Sequence, residues 1–135
     1  VRTLLCEQIN FVIKKEYYNL LTTNFFNSLG GRPIDRSGKL NSVEKISEMF
    51  KNNKIFRLAI APEGTRKLVD NWKTGFYHIA LKANCKILPV AFDWKKREVK
   101  IFEVFTPTNK FTNDLKFLKS LFKGVKGKIP ENSNL

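Results

Sequence analysis

The spacing of apolar positions changes several times along the chain, and each change marks an element. Ile9-Asn10-Phe11-Val12-Ile13 is a β-rich run that predicts a strand, closed by the polar turn Lys14-Lys15-Glu16. From Tyr17 to Leu29 the period shifts. Leu20, Leu21, Phe25, Phe26 and Leu29 recur at helical spacing, which predicts a short amphipathic helix over 17–29 with Gly30-Gly31 as its C-cap. Its apolar face would pack on the sheet, with contact to lipid as the less common alternative. Pro33 pushes Arg32 towards an extended conformation, so a short strand runs through Ile34 to a turn at Ser37-Gly38. Asn41 and Glu44 make a capping-box-like pair ahead of a helix whose stripe is Val43, Ile46, Met49 and Phe50, and Asn52-Asn53 ends it. Ile55 to Ala61 reads as a buried central strand. Pro62 stops it, having no N–H to donate to a neighbour.

The second half alternates in the same way. A polar loop over 67–73 carries Trp72, and a helix from about Thr74 to Ala83 presents Phe76, Ile79, Ala80 and Ala83 on one face. Ile87 to Phe92 is a buried strand interrupted by Pro89, and 93–97 is a turn. Residues 99–104 partly alternate and suit a half-exposed edge strand. Phe111, Leu115, Leu118 and Phe122 mark a last helix, and the tail from Gly124 is polar and expected to fray. Residues 1–8 carry no readable pattern. With no repeat and no linker, alternating strands and helices predict one α/β domain over 1–135, a sheet with flanking helices.

Composition narrows the partners. Lys and Arg number 25 against 12 Asp and Glu, a formal net charge of +13, which favours nucleic acid, an acidic membrane surface or phosphorylated substrates. A solvated surface from lysine-rich coding is the plain alternative. The lysines are scattered, and no helix-turn-helix, finger or aromatic-basic strand motif is present, so no nucleic-acid partner is expected. Cys6 and Cys85 lie far apart with no Cys/His cluster, which argues against zinc and for a reduced intracellular protein. No run approaches the roughly 18 apolar residues of a membrane span, and no signal peptide is visible. Val1 in place of Met points to a fragment or an unusual start.

The densest chemistry is Leu58-Ala59-Ile60-Ala61-Pro62-Glu63-Gly64-Thr65-Arg66-Lys67. Gly64 lets the backbone turn sharply and a ligand approach it. Thr65 offers a hydroxyl and Arg66 a planar fork of donors suited to phosphate oxygens. In isolation the segment would pass for a strand-to-helix turn with a surface ion pair.

Two flanking stretches change that reading. Leu29-Gly30-Gly31-Arg32-Pro33-Ile34-Asp35-Arg36 precedes the turn and Ile87-Leu88-Pro89-Val90 follows it. In this order and spacing the three resemble the second, third and fourth sequence blocks of the glycerolipid acyltransferase family, which includes the 1-acylglycerol-3-phosphate acyltransferases. The resemblance spans roughly Ile9 to Val104. It implies that Arg36 and Arg66 grip the phosphate of the acceptor, while Glu63, Gly64 and Thr65 shape the pocket and hold its glycerol. Gly31 and Pro89 would line that pocket, Pro89 beside the acyl chain. It further implies acyl transfer from acyl-CoA or an acyl carrier protein, as co-substrate, to a lysophospholipid such as lysophosphatidate. No metal or other cofactor is implied. The place of work would be the inner face of the cell membrane, peripherally bound to an anionic surface.

Family members also carry His-x-x-x-x-Asp ahead of the segment that resembles Ile9–Glu16. There the His is general base on the acceptor hydroxyl. Here the one histidine, His78, follows the third block, has Ala83 five residues on, and points away from the apolar stripe of its helix. A surface or packing histidine is expected. Two readings follow: an enzyme whose amino-terminal part is missing, or a non-catalytic relative that holds phospholipid or anionic membrane.

Overall fold

The computed structural model describes residues 8–35, 42–65, 69 and 71–129. The chain divides into two compact units, Val1–Ile60 and Ala61–Leu135. Helices and two small sheets make it an α/β protein.

In the first unit, β1 (Phe11–Lys14) pairs in parallel with β2 (Gly31–Ile34), Phe11 opposite Gly31 and Lys14 opposite Ile34. Successive N–H groups point to opposite sides of a strand. Thus the Phe11 N–H donates to the Gly30 carbonyl at 3.1 Å, while the Asn10 N–H donates to the Arg57 carbonyl at 2.7 Å. The Ala59 N–H returns a bond to the Asn10 carbonyl at 2.9 Å, so residues 57–59 run parallel to β1 on its other side. Parallel strands need a crossover. Here it comprises a 3-10 turn at Lys15–Tyr17 and a short helix α1 (Thr23–Ser28).

That crossover corrects the helix predicted over 17–29. The Asn19 side chain accepts the N–H groups of Leu21 and Thr22 at 3.0 and 2.9 Å, an Asx turn that competes with the helix and delays it to Thr23. Leu20, Leu21, Phe25 and Leu29 are exposed, not packed on the sheet. Only Phe26 turns inward, against Tyr18 with ring centroids 5.5 Å apart. The expected termination holds: Gly30 takes φ +90°, and Gly31 then opens β2.

Helix α2 (Ser42–Asn52) follows its predicted stripe, burying Ile46 with Val43, Met49 and Phe50 half-buried. Ser47 is buried too, its hydroxyl donating to the Val43 carbonyl at 2.7 Å, as a serine on a helix can. Asn41 and the predicted turn at Ser37-Gly38 lie outside the described residues. The buried central strand is corrected. Residues 55–61 touch the sheet through the bridge at Leu58, and Ile55, Ala59, Ile60 and Ala61 are exposed. Pairing on one side does not cover a strand's faces.

In the second unit, α3 (Gly75–Lys82) precedes an antiparallel hairpin of β3 (Val90–Asp93) and β4 (Glu98–Ile101), and α4 (Phe111–Leu121) closes the unit. Val90 stands opposite Ile101 and Asp93 opposite Glu98. A bridge between Ile87 and Phe105 extends the pairing past Pro89. The core holds Trp72, Tyr77, Ile79, Ala80, Ala91, Leu118 and Val125. Tyr77, absent from the predicted stripe, is its most buried member, and it is held from above by α4. Its hydroxyl donates to Asp114 Oδ2 at 2.7 Å. Asp114 also accepts the Thr108 N–H and hydroxyl, each at 2.7 Å. Desolvation alone would raise the Asp114 carboxyl. The bonds from Tyr77 and Thr108 and the charge of Lys110 outweigh it and hold it below the usual carboxylate range. The Tyr77 phenol, desolvated and facing that carboxylate, is pushed up to about 12.

Candidate functional site

The turn after Ala61 is built from its glycine. The Gly64 N–H donates to the Ala61 carbonyl at 3.1 Å, and Gly64 itself sits at φ +64°, in the left-handed region a side chain disfavours. Pro62, unable to donate, instead accepts: its carbonyl takes the Lys73 N–H at 2.8 Å. That bond ties the turn to the start of α3 and lays the Lys73 side chain across Gly64. A Cβ on Gly64 would stand 2.9 Å from Lys73 Cδ and Cε and 3.0 Å from its Nζ. Gly64 is therefore favoured by its dihedral, and a side chain in its place would push the end of Lys73 aside. Glu63 is half-buried, and Gly64, Thr65 and Lys73 are exposed.

The result is a tight main-chain turn with an ammonium group beside it. Such a surface attracts an anion by the charge of the Lys73 ammonium. Lys73 escaped the sequence reading because nothing in Trp72-Lys73-Thr74-Gly75 separates it from the other scattered lysines. Its role follows from the Pro62–Lys73 bond, which no periodicity shows.

The other predicted residues are placed as follows. Gly31 opens β2 and is buried. A Cβ there would meet the Tyr18 hydroxyl at 2.8 Å and the Phe26 carbonyl at 2.9 Å, so Gly31 lets the crossover press onto the sheet. The Tyr18 hydroxyl is buried with no hydrogen-bond partner among the described residues, and burial raises its pKa against the lowering charge of Arg32. Pro89 is buried between the Ile87 bridge and β3, and its carbonyl accepts the Phe102 N–H at 3.1 Å. Arg36 and Arg66 lie outside the described residues. Gly31 belongs to the first unit, and Glu63, Gly64, Thr65 and Pro89 to the second. Within the second unit the fold brings Gly64 and Lys73 together.

His78 is an exposed residue of α3, stacked on Phe111 with centroids 6.0 Å apart and planes at 16°, as its position outside the apolar stripe predicts. Among the described residues no cluster of His, Cys, Asp or Glu is placed to hold a metal ion, and no helix is long and apolar enough to cross a membrane.

The family model described as Acyltransferase matches residues 2–93, more than half of the chain, and its span takes in the turn, Lys73 and Pro89. No curated protein and no solved structure matches the chain.

Proposed function

The chain belongs to the acyltransferase family, and from that premise we propose that it acts in phospholipid synthesis. It takes a fatty acyl group from acyl-CoA or an acyl carrier protein and passes it to lysophosphatidate or a similar lysolipid. One observation carries the choice of acceptor: a left-handed Gly64 with the Lys73 ammonium laid against it. That arrangement favours a phosphate over a neutral alcohol. Arg66, next but one in sequence, adds a bidentate fork of donors. Thr65 and Glu63 hold the glycerol hydroxyls. The reaction joins the acceptor oxygen to the thioester carbonyl carbon as the carbon–sulfur bond breaks and the thiol leaves. His78 is not assigned as the base. The work is done peripherally at the inner face of the cell membrane, where a lysophospholipid acceptor lies.

Calorimetric titration with lysophosphatidate tests the reading. Arg66→Ala weakens binding by about 2–3 kcal/mol and Lys73→Ala by about 1–2 kcal/mol, the range for hydrogen bonds to a charged group. Unchanged affinity in both variants removes the turn from the site. Incubation with labelled acyl-CoA separates the enzyme from a relative that binds the lipid without chemistry.

A further inference from the structure

The crossover between β1 and β2 carries its leucines outward. Leu20 and Leu21 are 95% and 88% exposed, and Tyr17 and Phe25 stand out beside them. Contiguous exposed apolar side chains are uncommon on a soluble surface and mark a contact. The backbone beneath them is unusual in the opposite sense. The N–H groups of Asn19, Leu21, Thr22 and Thr23 all donate within the tip, to Thr22 Oγ1, to Asn19 Oδ1 twice, and to the Asn19 carbonyl, at 2.9–3.1 Å. The Thr22 and Thr23 hydroxyls donate to the Tyr17 and Asn19 carbonyls at 2.6 and 2.7 Å. Each polar group satisfied within the tip spares part of the several kcal/mol that an unsatisfied one costs on leaving water. On the inner side Tyr18 and Phe26 pin the tip to the sheet.

We propose that the Tyr17–Phe25 tip is a wedge that inserts Leu20 and Leu21 into the interface of an anionic phospholipid bilayer. Charge selects this occupant over a second copy of the chain. Exposed Lys14 and Lys15 adjoin the tip on a protein of net charge +13, so a lipid surface bearing phosphates attracts it and another copy is repelled. The apolar side chains supply depth, and the lysine stems reach back to the headgroups. The choice of a bilayer rests on the lipid acceptor proposed above, and the test separates the two.

Flotation with vesicles of phosphatidylglycerol and phosphatidylcholine compares the protein with the double variant Leu20→Ser/Leu21→Ser. Vesicle affinity is expected to fall at least about tenfold, given the transfer free energy of two leucine side chains. The thermal midpoint stays, because neither leucine is buried. Calorimetry with a short-chain, water-soluble lysophosphatidate runs in parallel. Retained lysophosphatidate affinity with lost flotation supports the wedge. Flotation of the unaltered protein without lysophosphatidate binding overturns the acceptor reading and leaves the wedge standing. Equal flotation of variant and protein overturns the wedge. So does sedimentation showing that the serines dissolve a dimer while flotation persists.

Discussion

At Gly64 one residue answers two constraints, and they can be separated by substitution. Alanine there meets the disfavoured φ, a cost of about 1–2 kcal/mol, and its methyl collides with the far end of Lys73. A lysine stem swings aside cheaply, so the collision displaces the ammonium more than it destabilises the fold. Gly64→Ala is therefore expected to weaken lysophosphatidate binding as much as Lys73→Ala does. In the Lys73→Ala background the same change should add little further loss, a non-additivity read by a double-mutant cycle in calorimetry. Full additivity would show that the glycine serves only the backbone. The sequence alone showed that a glycine stands at this turn; the conversation between Gly64 and Lys73, nine residues apart, needed the fold.

Among the elements, α4 is joined to α3 by a polar contact where periodicity predicts only apolar ones. Asp114 sits three residues after Phe111 and four before Leu118, at the edge of their stripe, where a charged residue is expected to stay in water. It is buried because three donors converge on it. Asp114→Ala strands the buried Tyr77 hydroxyl and is expected to cost about 2–3 kcal/mol, measured by urea denaturation. The pH dependence has a definite sign. The folded pKa lies below that of the unfolded chain, so the stabilisation is complete above the unfolded value near about 4. It is lost as pH falls through the lower folded value. Thermal midpoints recorded downward from pH 5 should drop more steeply for the protein than for Asp114→Asn. The segment over 17–29 teaches the complementary lesson. Its apolar spacing suits a helix, yet Asn19 and Thr22 close a turn in the middle. Local side-chain bonds outcompeted periodicity because the leucines gained no packing from a longer helix.

For the whole molecule, the excess of positive charge acts over distances that individual contacts do not. Binding to anionic vesicles should weaken several-fold as potassium chloride rises from about 0.05 to 0.5 M, because the screening length contracts from roughly 14 to 4 Å. Flotation at graded salt reads this, and the residue of binding at high salt reports the apolar wedge. What the linear chain determined by itself is the place of most strands and helices, the carboxyl end of α2, both ends of α3, the surface place of His78 and, through three ordered motifs, the family. These rest on interactions between near neighbours, which spacing records. Tertiary structure alone decided that Leu20 and Leu21 face outward, that Ile55 and Ile60 are exposed, that Asp114 is buried and that Lys73 lies on Gly64. Each depends on groups far apart in sequence or on competition between hydrogen bonds, and burial is a property of what surrounds a residue, which no period along the chain can carry.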